Sequence, residues 1–218
     1  MITEDGWYGQ GDAYPYEKAA TYQLKTYITF ALVGIHKIEN EDSTDVCLFD
    51  NKVQYYRYYL DNVLYCLGQI HSRFTRIERV SPERQEAKEL KNYSVDINKA
   101  NYRFSKEAFP TLSVKLPRNI VEHIDERNLL SIKSYDGVGG FNVIFDNNNP
   151  ELIKSIFSRQ ECYPYTLDLR DMSVHFYDIQ SKKVTGRKSV LSLYKLKDEL
   201  KQLKQNVNNF ESILQYCI

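Results

Sequence analysis

The chain's four cysteines, Cys47, Cys66, Cys162 and Cys217, stand far apart, with no Cys-x-x-Cys pair among them and no secretory signal ahead of them. That spacing argues for free thiols in a reducing compartment, and the chain is expected to be cytoplasmic. Long apolar runs are also missing. The longest are broken by Lys, Asn, Tyr or Gln well short of the ~18 residues that a spanning helix needs, so no membrane segment is expected. Nor is there an excess of either charge. Lys plus Arg and Asp plus Glu number 29 each, so no global field draws the protein onto nucleic acid, and any RNA contact must be local. The one glycine-rich stretch, Asp136-Gly137-Val138-Gly139-Gly140, is not a phosphate loop, because no Gly-Lys-Ser/Thr follows it.

What the chain has in quantity is tyrosine, 18 in 218 residues. These rings, including Tyr55 to Tyr59 around Arg57, either stack on bases or line amphipathic helices at a wet boundary, and the second use is the commoner. A chain of this length can bury a real core as one domain over residues 1–218. Residues 1–14, with Gly6, Gly9 and Gly11, read as a flexible arm. Leu24, Ile28, Ala31, Ile35 and Ile38 recur at three and four, predicting a helix from Pro15 to about Ile38 with His36 off its apolar stripe. Val53, Tyr56, Leu60, Val63, Leu67, Ile70, Phe74 and Ile77 keep the same period and predict a long helix from Asp50 to about Arg79. Ser81-Pro82-Glu83 opens a polar, peripheral helix to about Ala100, with Ser81 at the cap. Phe104, Phe109, Pro110 and Leu112 then anchor the connection that follows.

After residue 136 the texture changes. Phe141 to Phe145, Tyr165 to Leu169 and Ser173 to Ile179 alternate as strands do, with a turn at Asp171-Met172 and another over Lys182 to Gly186. A short helix from Pro150 to about Phe157 lies among them. Together they predict a small antiparallel insert over residues 136–187. Leu193, Leu196, Leu200, Leu203, Val207, Phe210 and Leu214 then define a last helix from about Val190 to Gln215. The expected fold class is mainly α, a bundle of about five helices with the helices at 50–79 and 190–215 as its spine.

The densest chemistry lies at Leu116 to Asn128, LPRNIVEHIDERN. Pro117 suits a first helical position, which predicts a helix to about Asn128. On that helix Ile120, Val121 and Ile124 form a dry stripe, and Arg118, Asn119, Glu122 and His123 form a polar patch near the positive end of the dipole, where an anion such as phosphate is favoured. The same residues also suit a solvated ladder of surface ion pairs.

Arg118-Asn119-Ile120-Val121-Glu122-His123 resembles the signature of the HEPN superfamily, and the continuation through Asp125, Glu126 and Arg127 is similar to a group of bacterial HEPN-like proteins. The resemblance implies a helical bundle with the motif at the start of a late helix. It also implies a homodimer whose Arg and His line a shared cleft and cut RNA without a metal or other cofactor. The motif residues Arg118, Asn119 and His123 form the implied site, and Glu122, beside His123 in the sequence, is added to it as the group that sets the charge state of the imidazole. The implied role is a toxin or anti-phage effector, with an antitoxin or other regulator as a further partner. Asp125 stands where some toxin members carry Tyr, so regulation through that Tyr is not carried over, and the superfamily also has non-catalytic members. A silent module that binds a nucleotide, an RNA or a protein is the alternative.

One rival site exists. Asp168, Asp171, His175 and Asp178 offer oxygen and nitrogen donors across a hairpin. Alternation instead predicts that Asp168 and His175 decorate the polar face of a half-buried hairpin.

Overall fold

The computed structural model describes residues 13–41, 43–114, 141–158, 164–178 and 187–216. They are mostly helical, with one small four-stranded sheet. The helices are α1 (Ala13–Glu39), α2 (Ser43–Val46), α3 (Lys52–Phe74), α4 (Gln85–Asn101), α5 (Pro150–Ser158) and α6 (Leu193–Tyr216). The strands are β1 (Phe141–Ile144), β2 (Tyr165–Asp168), β3 (Ser173–Asp178) and β4 (Arg187–Ser192).

In α1 the predicted stripe is the buried one: Leu24, Ile28, Ala31, Ile35 and Ile38 are each at most 2% exposed. The helix packs against both α3 and α6. The spine expected from the sequence therefore needs correction, because α1, and not the pair 50–79 and 190–215, makes the principal helix contacts. Gly34 explains part of this. A Cβ at Gly34 would lie 2.6 Å from Val63 Cγ2 and 3.2 Å from the Tyr59 carbonyl oxygen of α3, so only glycine allows the two backbones this approach. Ion pairs at the rim, Lys25 with Glu211 at 2.6 Å and Lys197 with Glu39, join α1 to α6.

Asn51 caps α3 by accepting the Gln54 N–H at 3.0 Å. The helix runs unbroken through Gly68 but stops at Phe74, five residues short of Arg79. Thr75 is extended, with φ −112° and ψ 124°. Asn92 on α4 then takes both the N–H of Ile77, at 2.8 Å, and its carbonyl, at 3.1 Å. A side-chain amide thus replaces the helical partners that Ile77 would otherwise need. Val53 and Ile77, the two ends of the predicted stripe, are 37% and 38% exposed. The polar helix begins as a 3-10 turn at Pro82–Arg84. Ser81 holds the cap position without a side-chain bond to the backbone. Val95 is the buried residue of α4, in keeping with a peripheral place.

The sheet has the order β1-β2-β3-β4 and is mixed. β1 pairs parallel to β2, whereas β2 with β3 and β3 with β4 are antiparallel. The expected all-antiparallel insert fails at β1 because α5 lies between β1 and β2 and returns the chain to the same end, which makes the pairing parallel. β4 begins just after the expected turn at Lys182 to Gly186 and takes residues expected at the start of the last helix. One face of the sheet carries the rungs Phe141–Tyr165–Phe176 and Val143–Leu167–Val174–Leu191, which join the helical core. The other face carries Ile144–Asp168–Ser173–Ser192 and Asn142–Thr166–His175–Val190.

Gly34→Ala tests the close approach. The gain in helix propensity, about 1 kcal/mol, is set against overpacking of about 1–3 kcal/mol. The β-branched Val63 and a backbone carbonyl have little room to yield, so urea melts should show net destabilisation. Val63→Ala should cost less in the Gly34→Ala protein than in wild type, and additive effects would sink the explanation.

Candidate functional site

Arg118, Asn119, Glu122 and His123 lie outside the described residues, which end at Val114 and resume at Phe141. The approach to them is described. Phe109 and Leu112 are 0% and 4% exposed, while Pro110 is exposed and anchors nothing. Phe104 stacks between Phe74 and Phe109, with ring centroids 3.9 and 4.9 Å away. Glu199 of α6, 9% exposed, turns its carboxylate to this segment and accepts the N–H of Thr111 and of Leu112, each at 2.9 Å. A carboxylate can be buried there because two N–H groups satisfy its oxygens. Asn206 donates to the Tyr102 carbonyl at 2.9 Å, so α6 holds the connection near both ends.

A polar cluster stands at the β2–β3 turn. Asp168 is 2% exposed. Its carboxylate accepts the guanidinium of Arg170 at 2.8 and 2.6 Å and the Arg170 backbone N–H at 3.1 Å. Burial works against ionisation of Asp168, but the side-chain and backbone bonds from Arg170 outweigh it and hold the carboxyl below the usual aspartate range. Met172 closes the turn in the left-handed region, with φ 53°. It is held there by its carbonyl, which accepts the Leu193 N–H at 2.8 Å, and by its burial. Beyond it Ser173 donates to Asp171 at 2.5 Å and lies 3.0 Å from His175 Nε2. A hydroxyl has one proton, so with Asp171 as its acceptor the imidazole must donate through Nε2–H. Burial pushes the His175 pKa down, and Asp168 and Asp171 pull it back up.

The expectation of surface decoration is therefore wrong for Asp168. Alternation places it on the predicted face with His175, but that face is covered at this point: Ile144, Thr166 and Ser173 are buried, and Phe157 of α5 sets its ring edge-on to His175 at 5.0 Å. Donor atoms of Asp168, Asp171 and His175 come within 4.8 Å of one another. Asp178 falls in the alternate register with Val174 and Phe176, so the backbone does not bring it to the other three. A divalent cation fits this donor set poorly, because Arg170 already bonds both oxygens of Asp168 and supplies the opposing charge. A serine nucleophile fits no better. In a catalytic triad the imidazole lies between hydroxyl and carboxylate, whereas here the hydroxyl lies between the other two.

Comparison of the chain with protein-family models, curated proteins and solved structures finds no match. Among the described residues no helix is long and apolar enough to cross a membrane. Sequence reasoning missed Arg170, Ser173 and Glu199. Glu199 left a usable signal: it follows Leu196 by three within the apolar repeat of α6, and a carboxylate at such a position has to be neutralised by a specific partner. Arg170 left none, because its bond to Asp168 depends on the turn.

Arg170→Met should destabilise the fold by about 1–3 kcal/mol, since it leaves a buried acceptor unsatisfied. Asp168→Asn in that background should recover part of the loss. The depressed pKa of Asp168 also sets a pH window. Its stabilisation is complete above the unfolded value, about 3.9, and is lost as pH falls through the lower folded value. The stability gap between wild type and Asp168→Asn, followed by urea melts, should accordingly narrow in acid. A gap that widened there would contradict the assignment.

Proposed function

We propose that the chain is a metal-independent endoribonuclease of HEPN type, acting as a homodimer in the role of a toxin or anti-phage effector. The observation that carries this reading is the spacing Arg118-Asn119-x-x-x-His123. The helical character of the described residues and the pinning of the chain at Thr111 and Leu112, just ahead of the motif, support it.

RNA cleavage needs the 2′-hydroxyl deprotonated, charge on the phosphorane balanced and the leaving oxygen protonated. An imidazole titrating near neutrality serves the proton steps, and His123 is assigned to them. Arg118, permanently charged and forked, is assigned to the phosphoryl oxygens as their charge grows. Asn119 positions the phosphate or the imidazole, and Glu122 biases the charge of His123. One chain supplies one Arg and one His from this motif, too few for separate acid and base, which is the chemical reason for pairing two copies. The balance of 29 basic and 29 acidic residues favours a second reading, a silent module that recognises a nucleotide, an RNA or a protein through the same patch.

Purified protein incubated with mixed RNA and a chelator separates the two. His123→Ala should reduce cleavage by about 10²-fold or more, the range for loss of a general acid or base, with an unchanged melting temperature. Arg118→Lys should lose nearly as much as Arg118→Ala, because lysine keeps the charge but not the fork. Full activity in His123→Ala, or activity that the chelator abolishes, would refute the metal-independent assignment to this motif.

A further inference from the structure

A second polar feature lies away from the β2–β3 turn. The C-terminal ends of α3 and α4, the linker after Phe74 and the turns after α4 border a half-open cavity of about 440 Å³. That volume lies in the range of small-ligand sites. Arg76, Lys99 and Lys106 line it, with Glu78 as the acidic residue on its wall and the Phe74 and Phe104 side chains beside them. Lys99 and Lys106 take part in no salt bridge among the described residues, whereas Arg76 is bound by Asp96.

The walls are set by α4. Asn92 clamps the backbone of Ile77, Asp96 grips the Arg76 guanidinium from the next turn, and Lys99 follows on the same stripe. Asn98 adds a bond to the Arg73 carbonyl at 3.1 Å. The linker that carries Arg76 and Glu78 is thereby fixed before any ligand arrives, which lowers the ordering cost of binding. The ring stack shapes recognition in the other direction. Phe104 has Phe74 on one face and Phe109 on the other, both within 5° of parallel, so neither face is open to a base.

From these placements we propose that the cavity binds a phosphate group of a nucleotide or RNA strand through Lys99 and Lys106, without preference among bases. Two ammonium groups on one concave wall, outside any salt bridge among the described residues although Asp96 lies in the field of Lys99 and Glu107 in that of Lys106, attract an oxyanion, and closed ring faces remove the usual stacking platform for a base. Ser113 on the cavity wall is a few residues ahead of Arg118 in the sequence. The inference takes its source of phosphate from the ribonuclease reading, and the cavity itself stands without it.

The test uses the full chain and a fluorescent 2′-O-methyl oligonucleotide of about eight residues, within the usual span of a single-strand site. The probe lacks the attacking hydroxyl, so binding is read apart from cleavage. Lys99→Glu with Lys106→Glu should weaken binding about tenfold or more and lower the salt slope by about 0.7 for each lysine removed, as loss of a single-strand phosphate contact requires. Lys201→Glu, at an exposed position of α6, serves as the control and should bind as wild type, with all variants melting alike. Uridine and adenosine oligomers should bind equally. Competition by adenosine monophosphate and inorganic phosphate as well as by the oligomer marks a free nucleotide as the ligand, and competition by the oligomer alone marks a strand. Unchanged affinity in the double variant, or no binding of any of the three probes at millimolar concentration, overturns the proposal. If wild type cuts no RNA but the double variant still loses binding, the nuclease reading fails and the cavity assignment stands. If RNA is cut equally by wild type and double variant with equal probe affinity, the reverse holds.

Discussion

The constraint on which the rest of this structure depends is that α1 must bury itself against two helices at once. A helix ordinarily covers one stripe, and a second contact needs either more apolar surface or less bulk. In α1 the second solution is used. Ala31 is a small residue wholly buried on the stripe, and at Gly34 the space that a Cβ would need is taken by the Val63 side chain and the Tyr59 carbonyl of α3. The polar ends of the interface are joined by ion pairs to Glu39 and Glu211. These partly exposed pairs add little stability, so the packing of the small residues carries the arrangement.

The sheet attaches to that bundle through one face and leaves the other for polar chemistry. Tyr165 shows how the attachment is made. Its ring is 1% exposed within the core, and its hydroxyl reaches Asp61 of α3 at 2.5 Å. Desolvation raises the pKa of Asp61, and bonds from Tyr165 and Arg57 oppose the rise. On the opposite face the same alternation brings Asp168, Ser173 and His175 together. Arg170 lets that cluster be buried, since a lone carboxylate with 2% exposure would instead be driven to its neutral form.

Much of this was legible in the residues. The stripes of α1, α3 and α6, the peripheral place of α4 and the first three strands follow from period and punctuation. What failed did so for tertiary reasons. α3 ends at Phe74 although Ile77 continues the period, because Asn92 offers Ile77 a better partner than the next helical turn. β4 is hidden because Val190 and Leu193 also fit the helical repeat, and only pairing with β3 reveals residues 187–192 as a strand. Alternation identified the face of Asp168 but not its burial, which depends on α5 crossing over from β1 to β2. Which two helices share the most contact was not readable from three equally good stripes. Gly34 was the available hint, a glycine inside a helical period where alanine would serve the helix better.

α6 links the separate parts. Its first residue accepts tethering to the β2–β3 turn through the Leu193 N–H and the Met172 carbonyl, and that bond helps keep Met172 in a left-handed conformation that a non-glycine residue seldom adopts. One and a half turns on, Glu199 fixes the backbone of Thr111 and Leu112, and farther along Asn206 fixes Tyr102. Between these anchors Lys197 reaches Glu39 at the end of α1. A single rigid helix therefore sets the position of the polar turn, the end of the central helix and the chain leading to Arg118 and His123. The two polar features need not share a chemistry to be coupled: a shift of α6 along its axis would move the Met172 carbonyl partner and the Glu199 carboxylate together. Leu193 donates one of these bonds and Glu199 accepts the other two, so such a shift leaves several groups unsatisfied at once, and the arrangement resists it.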